Sequence, residues 1–230
     1  MSRLDAWGGG WTRAGWVPPL PLPTPDQVTD GVVALRPWRN PGDLPAVRAA
    51  AADPAVTTGT TVPAAYTERS GRNWIVRQHA RRFAGTGLVL AITGSRSGAA
   101  VGMVGLTGVN QDAASCELGY WVVPAARGRG LSGRAAALLV AWAFEALPLV
   151  RITARVAVDN VASQRSVERA GLRREGVARA SYRIGDGWMD MVSYAAVRPG
   201  TPRIRWADLQ PAPAAGPSAG SSSSDTELMQ

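Results

Sequence analysis

The chain contains no lysine. All 25 of its basic residues are arginine, against 17 acidic ones, so the formal net charge of +8 rests on groups that do not lose their proton near neutrality. Without lysine there is no Walker-type phosphate loop, no Schiff base and no lysine general base. One cysteine, Cys116, precludes an internal disulfide, and with a single histidine, His79, it precludes a Cys/His zinc site; no metal is expected. No apolar run approaches the length of a membrane span, and the N-terminus lacks a basic start followed by an apolar core. Together these predict a cytoplasmic protein without a membrane partner. The arginines are scattered, adjacent only at 81–82 and 173–174, instead of forming a block with interleaved aromatics. A dedicated nucleic-acid module is therefore not expected, although an RNA-associated role stays open.

What is present suits one core. With 46% hydrophobic residues in 230, a single domain with tails fits better than two domains. Residues 1–30 hold "WGGGW" and "VPPLPLPTP", rich in Gly and Pro and without period, which predicts an extended arm. Trp7, Trp11 and Trp16 would be costly to expose, so the arm is expected to pack on the domain or on a second subunit; a homodimer is one expectation. Residues 199–230 are low-complexity and expected to be disordered. The folded domain is expected over 31–198.

Within it the periodicity alternates. Strands are predicted at 32–39, 88–93, 100–109, 115–123, 150–158, 177–184 and 188–197. Helices are predicted at 43–52, at 67–84 with Thr67 as cap, at 131–147 before Pro148, and at 160–170 before Gly171. The turns between the second, third and fourth strands are too short for helices, so those strands form an antiparallel meander. The helix at 131–147 then implies a parallel crossover pair between 115–123 and 150–158. The fold class is mixed α/β (α+β): a mostly antiparallel sheet of about seven strands with one parallel pair, and about four helices.

The segment Arg127-Gly-Arg-Gly-Leu-Ser-Gly133 admits two readings. From Gly128 it spells G-x-G-x-x-G, the dinucleotide-binding turn. From Arg127 it spells R-x-x-G-x-S, close to the R/Q-x-x-G-x-G/A loop that holds the pyrophosphate of coenzyme A. Spacing disfavours the first. Pro124–Arg127 separate the strand from Gly128, and the candidate for the ribose-binding acid, Asp159, lies 26 residues beyond Gly133 and opens a helix instead of closing a strand. The second asks only for backbone N–H groups converging at a helix N-terminus, glycines that clear the approach, and nearby cations. Gly128, Gly130 and Arg127, Arg129 and Arg134 meet those needs.

Further pieces stand in order around the loop: E-L-G-Y-W before it (117–121), N-x-x-S-x-R-x-x-E-x-x-G after the next strand (160–171), and E-G-x-x-R (175–179) with G-x-x-D (187–190) in the last hairpin. The ordered set, over about 112–197 and weakly "LRPW" at 35–38, resembles the GNAT superfamily of acetyl-CoA-dependent N-acetyltransferases, in its ribosomal-protein RimJ/RimL-like branch. The resemblance implies a GNAT-like sheet whose parallel pair splays, with pantetheine of the acetyl-CoA co-substrate pairing to backbone at Tyr120, Trp121 and Val122. It implies a pyrophosphate loop of Arg127, Gly128, Arg129, Gly130, Leu131, Ser132 and Gly133, and a cofactor contact from Asn160. Ser132 departs from the usual Gly or Ala and is tolerable where its backbone N–H does the binding.

Amine attack on a thioester requires a base, and the departing thiolate a donor. Glu117, a carboxylate in an apolar strand, matches the family's strand glutamate and is the base candidate; a solvated face or an ion pair with arginine is the alternative. Ser163 matches a serine proposed as thiolate donor, while Asn160–Ser163 is also an ordinary helix start. Tyr120 is a third donor candidate. The implied activity is acetyl transfer to a primary amine: a protein or peptide N-terminus, or a small molecule such as an antibiotic, polyamine or aminoacyl-nucleotide. A non-catalytic acyl-CoA-binding module is the reading from another class. Asp53 and Asp112 are expected to attract a cationic amine, Cys116 to be buried, and Arg179 to pair with Asp190 across strands.

Overall fold

The computed structural model describes residues 11–12, 15–16, 20–25, 28–94 and 97–205. The chain divides into two units, 1–199 and 200–230; of the second, only 200–205 are described, without helix or strand. The expected disorder over 206–230 and the packing of Trp7 lie outside the described residues, as do the side chains of Trp11 and Trp16, whose backbones form one short antiparallel pairing.

In the first unit one eight-stranded sheet carries everything else. In chain order its strands are β1 (Val28–Thr29), β2 (Val33–Arg36), β3 (Gly87–Gly94), β4 (Ala100–Asn110), β5 (Ser115–Val122), β6 (Arg151–Ala157), β7 (Arg173–Ile184) and β8 (Gly187–Val197). Spatially they run β1-β2-β3-β4-β5-β6-β8-β7, antiparallel except for β5–β6. The helices are α1 (Leu44–Ala51), α2 (Pro54–Thr57), α3 (Glu68–Phe83), α4 (Leu131–Ala146) and α5 (Val161–Arg169). β1 and α2 escape the sequence reading because two and four residues are too short for a period to register. Residues 20–25 also do more than extend from the domain: Leu22 is buried, and Arg82 Nε donates to its carbonyl at 2.7 Å.

β3 shows how the layers arise. Its run from Gly87 to Thr93 is buried throughout, because the strand is covered on both faces. Side chains alternate across a strand, so Leu88, Leu90 and Ile92 enter the core beneath α4, while Val89 and Ala91 enter a second core beneath α1 and α3. In α4 the fully buried stripe is Ala135, Ala136, Leu139, Val140 and Ala143, with Leu131, Leu138 and Trp142 only half-buried. Small alanines face inward because α4 is pressed against the sheet on one side and α5 on the other. Helix α3 begins with a reciprocal cap: Thr67 Oγ1 accepts from the Ser70 N–H at 3.0 Å, and Ser70 Oγ accepts from the Thr67 N–H at 2.9 Å.

The parallel pair is brief. Ser115–Arg151, Cys116–Ile152 and Glu117–Thr153 are its only rungs, whereas β5 stays paired with β4 through Val122 and β6 stays paired with β8 through Ala157. Each strand follows its own neighbour, and the sheet parts between them.

Candidate active site

A cavity of about 730 Å³ opens where β5 and β6 separate. One wall is Leu118–Trp121, the other Ala154–Ala157, with Asn160 and Ser163 at the start of α5. Beyond Glu117 the β6-facing backbone groups of β5 have no partner strand. Each such N–H and C=O seeks a partner, so this slot suits an extended chain bearing its own amides.

Glu117, Tyr120, Ser163 and Asn160 all line this cavity. Glu117 is about one-third exposed and accepts from Arg155 Nε at 2.9 Å and Nη2 at 3.2 Å. The strand glutamate is therefore ion-paired, and its hydrogen bonds hold the Arg155 guanidinium charged by raising its pKa. The Tyr120 hydroxyl donates to the Ser163 carbonyl at 2.8 Å and lies 2.8 Å from Ser163 Oγ. Burial pushes the Tyr120 phenol up, so it keeps its proton. Asn160 Oδ1 accepts from the Ser163 N–H at 3.0 Å, which makes Asn160 the N-cap of α5 as well as a cavity residue.

The chain then turns through a 3-10 segment, Pro124–Ala126, into the loop. Gly128 and Gly130 take positive φ, 76° and 68°, a conformation that favours glycine. A Cβ on Gly128 would meet open space, so that glycine leaves an approach clear. Gly130 caps α4 without any side-chain hydrogen bond, and the first helical bond runs from the Arg134 N–H to the Gly130 carbonyl at 3.2 Å. The N–H groups of Leu131, Ser132 and Gly133 thus stand ahead of the ladder at the positive end of a helix. Ser132 turns its hydroxyl sideways onto Ser166 Oγ at 3.1 Å, and a Cβ on Gly133 would crowd Arg169 Cδ at 3.1 Å. Ser132 and Gly133 therefore seat α4 against α5. Trp121 projects to the opposite face, packing its ring 6.0 Å from Trp38 and 6.2 Å from Trp74, and Val122 is half-buried beside the first core.

Partner choice departs from expectation in several places. Arg127 is ion-paired with Asp53, which also accepts from the Ala55 N–H at 3.0 Å as the N-cap of α2. Asp53 is buried in that double duty, and neither it nor Asp112 lines the cavity, so neither attracts an amine there. Arg134 donates to Asp30 at 2.7 Å. Arg129 is exposed, and Arg169 from the last turn of α5 lies over the loop, its Nη1 2.8 Å from where a Gly130 Cβ would stand. Arg169 was not singled out by sequence, since one arginine among many carries no mark of its target. Arg179 does not meet Asp190: β7 bulges at Ala178–Tyr182, and Asp190 Oδ1 accepts the Ala180 N–H there at 2.7 Å. Cys116 is buried as expected, its thiol pushed up to about 12 by that burial, so it offers no thiolate.

A helix N-terminus without a side-chain cap thus stands beside a split sheet, an arrangement whose chemistry suits a long ligand with an anionic end and an amide-bearing arm. A family model described as "Acetyltransferase (GNAT) domain" matches residues 33–173, and the chain belongs to the GNAT acetyltransferase family. Among solved structures, "Mycobacterium smegmatis RimJ in complex with CoA-disulfide" matches with a TM-score of 0.67 and 26% identity, over 78% of this chain and 90% of that one. Two Bacillus subtilis proteins are similar in sequence. "Probable N-acetyltransferase YjcK" is 38% identical over 82 residues, covering 36% of this chain and 45% of its own length. "Putative ribosomal N-acetyltransferase YdaF" is 33% identical over 101 residues, covering 44% and 55%. The match thus spans about half the length of these two relatives.

Proposed function

We propose that the protein transfers acetyl from acetyl-CoA to a primary amine by direct attack in a ternary complex, with a protein or peptide N-terminus as acceptor. The observation that carries this reading is the three-rung parallel pair that opens into a cavity beside the α4 N-terminus, which no side chain caps. The free N–H groups at 131–133, with Arg129 and Arg169, would hold the pyrophosphate, and the unpaired β5 backbone at Tyr120–Val122 the pantetheine. The acetyl-thioester supplies the activated carbonyl. The amine nitrogen forms the C–N bond as the C–S bond breaks, with the sulfur keeping the electron pair.

Glu117 accepts the amine proton, through water where the amine stands off. Arg155 occupies two of its roughly four lone-pair sites and leaves the rest. At the other end, the Tyr120–Ser163 hydroxyl pair gives the thiolate a donor: Ser163 Oγ directly, or Tyr120 Oη, whose proton burial keeps in place. The likeness to YdaF, named a ribosomal N-acetyltransferase, supports a peptide acceptor. Calorimetric titration with acetyl-CoA, followed by mass spectrometry of peptides with free N-termini offered beside small amines, tests the reading. Binding with a singly acetylated peptide is the expected result; no binding of acetyl-CoA at any salt concentration overturns it.

A further inference from the structure

The acceptor end of the cavity has a charge pattern that the acetyl-transfer reading alone does not require. Among the described residues only three formally charged side chains line the cavity: Glu117, Arg155 and Arg81. Glu117 and Arg155 satisfy each other. Arg81 remains; it is half-buried, and among the described residues its guanidinium has no hydrogen-bond or ion-pair partner. Its placement is set by the helix: Trp74, Gln78 and Arg81 recur at i, i+4 and i+7 on α3 and all face the cavity. The first two are buried, and Gln78 Nε2 is fixed on the Trp74 carbonyl at 2.8 Å. Arg82 next to it is committed to Leu22.

Distance follows from the sheet. The Arg81 carbonyl accepts the Thr86 N–H at 3.0 Å, and Thr86 leads into Gly87, which registers with Thr107, which registers with Glu117. Two strand spacings of about 4.8 Å separate β5 from β3, about 10 Å in all, or roughly three residues of extended chain. With no uncommitted carboxylate, the cavity gives nothing to a second ammonium. It also favours an amine that is neutral without help, such as an α-amine of pKa about 8, over a lysine-type amine at about 10.4.

We infer that the acceptor is an acidic peptide, its α-amine at Glu117 and a carboxylate on its third or fourth residue paired with Arg81, and that polyamines and other polycations are excluded. This rests on the acetyl-transfer reading above and names the acceptor class for the same cavity.

The test uses peptides with free N-termini that differ only in carrying Asp, Ser or Lys at positions three and four, together with spermidine. Each is titrated into the CoA-saturated protein and assayed with acetyl-CoA. The Asp peptide is expected to exceed the Lys peptide by about tenfold or more, the factor a charge-assisted hydrogen bond supplies. In Arg81→Gln that ratio falls towards one, and in Arg81→Glu it reverses. CoA titration of each variant reports that it is folded. Equal use of the three peptides, preference for Lys or spermidine, or an Asp preference that survives in Arg81→Glu overturns the inference. Absence of CoA binding by the unmodified protein would instead remove the acetyl-transfer reading, and the peptide titrations without CoA would still decide whether Arg81 discriminates charge.

Discussion

At the scale of single residues, Glu117 and Arg155 act as one unit. They lie on adjacent strands whose register ends at Glu117–Thr153, so Arg155 is the first outward side chain past the last rung. Glu117→Gln replaces an acceptor oxygen with an NH₂ facing a guanidinium that only donates. Turnover is expected to fall about 10²-fold, the lower range for a general base, with acetyl-CoA affinity essentially unchanged in calorimetry. Turnover equal to the unmodified protein takes Glu117 out of the mechanism. Tyr120→Phe compared with Ser163→Ala separates the two thiolate donors by which variant loses more kcat. Much at this scale was legible: Glu117, Tyr120, Asn160 and Ser163 were singled out by an ordered motif set, and all four meet at one cavity. Arg81, Arg155 and Arg169 were not. In a chain whose cations are all arginine, identity says nothing of partner, and only strand spacing and helix phase assign it.

Among elements, the informative contact joins α2 to the loop before α4. Asp53 caps α2 and holds Arg127, a residue the motif assigns to pyrophosphate. Asp53→Asn keeps a competent cap while removing the charge that retains Arg127. Acetyl-CoA is therefore expected to bind several-fold more tightly in calorimetry, with little change in melting temperature; unchanged affinity would mean that Arg127 does not reach the ligand. The long elements were legible because periods of 3.6 and 2 persist in them over eight residues or more. β7 begins at Arg173, earlier than its apolar alternation suggests, because pairing with β8 extends it through polar "RREG". The bulge that separates Arg179 from Asp190 left no pattern to read, since it rests on Ala180 at a φ of 46° giving its N–H to Asp190, a tertiary contact that no period encodes.

For the molecule as a whole, a net charge of +8 would attract the polyanionic co-substrate of the proposed reaction. Electrostatic steering predicts that raising salt from about 50 to about 500 mM slows acetyl-CoA association several-fold in stopped-flow measurements while dissociation changes little. Equal slowing with an uncharged pantetheine amide would show that charge is not the cause.

The gap between β5 and β6 also separates two hazards that sheets usually face together. Unsatisfied ladder groups at a rim recruit any passing strand, including one from another copy of the same protein. Here the vacancy sits in the middle of the sheet, with α5 at its mouth and a continuous neighbour behind each strand. The unpaired β5 groups beyond Glu117 therefore face a cavity wall of β6 and α5 instead of an open sheet edge. Placed inside the sheet, those groups are further from the outer rim, where strand recruitment usually begins, than any edge strand's would be.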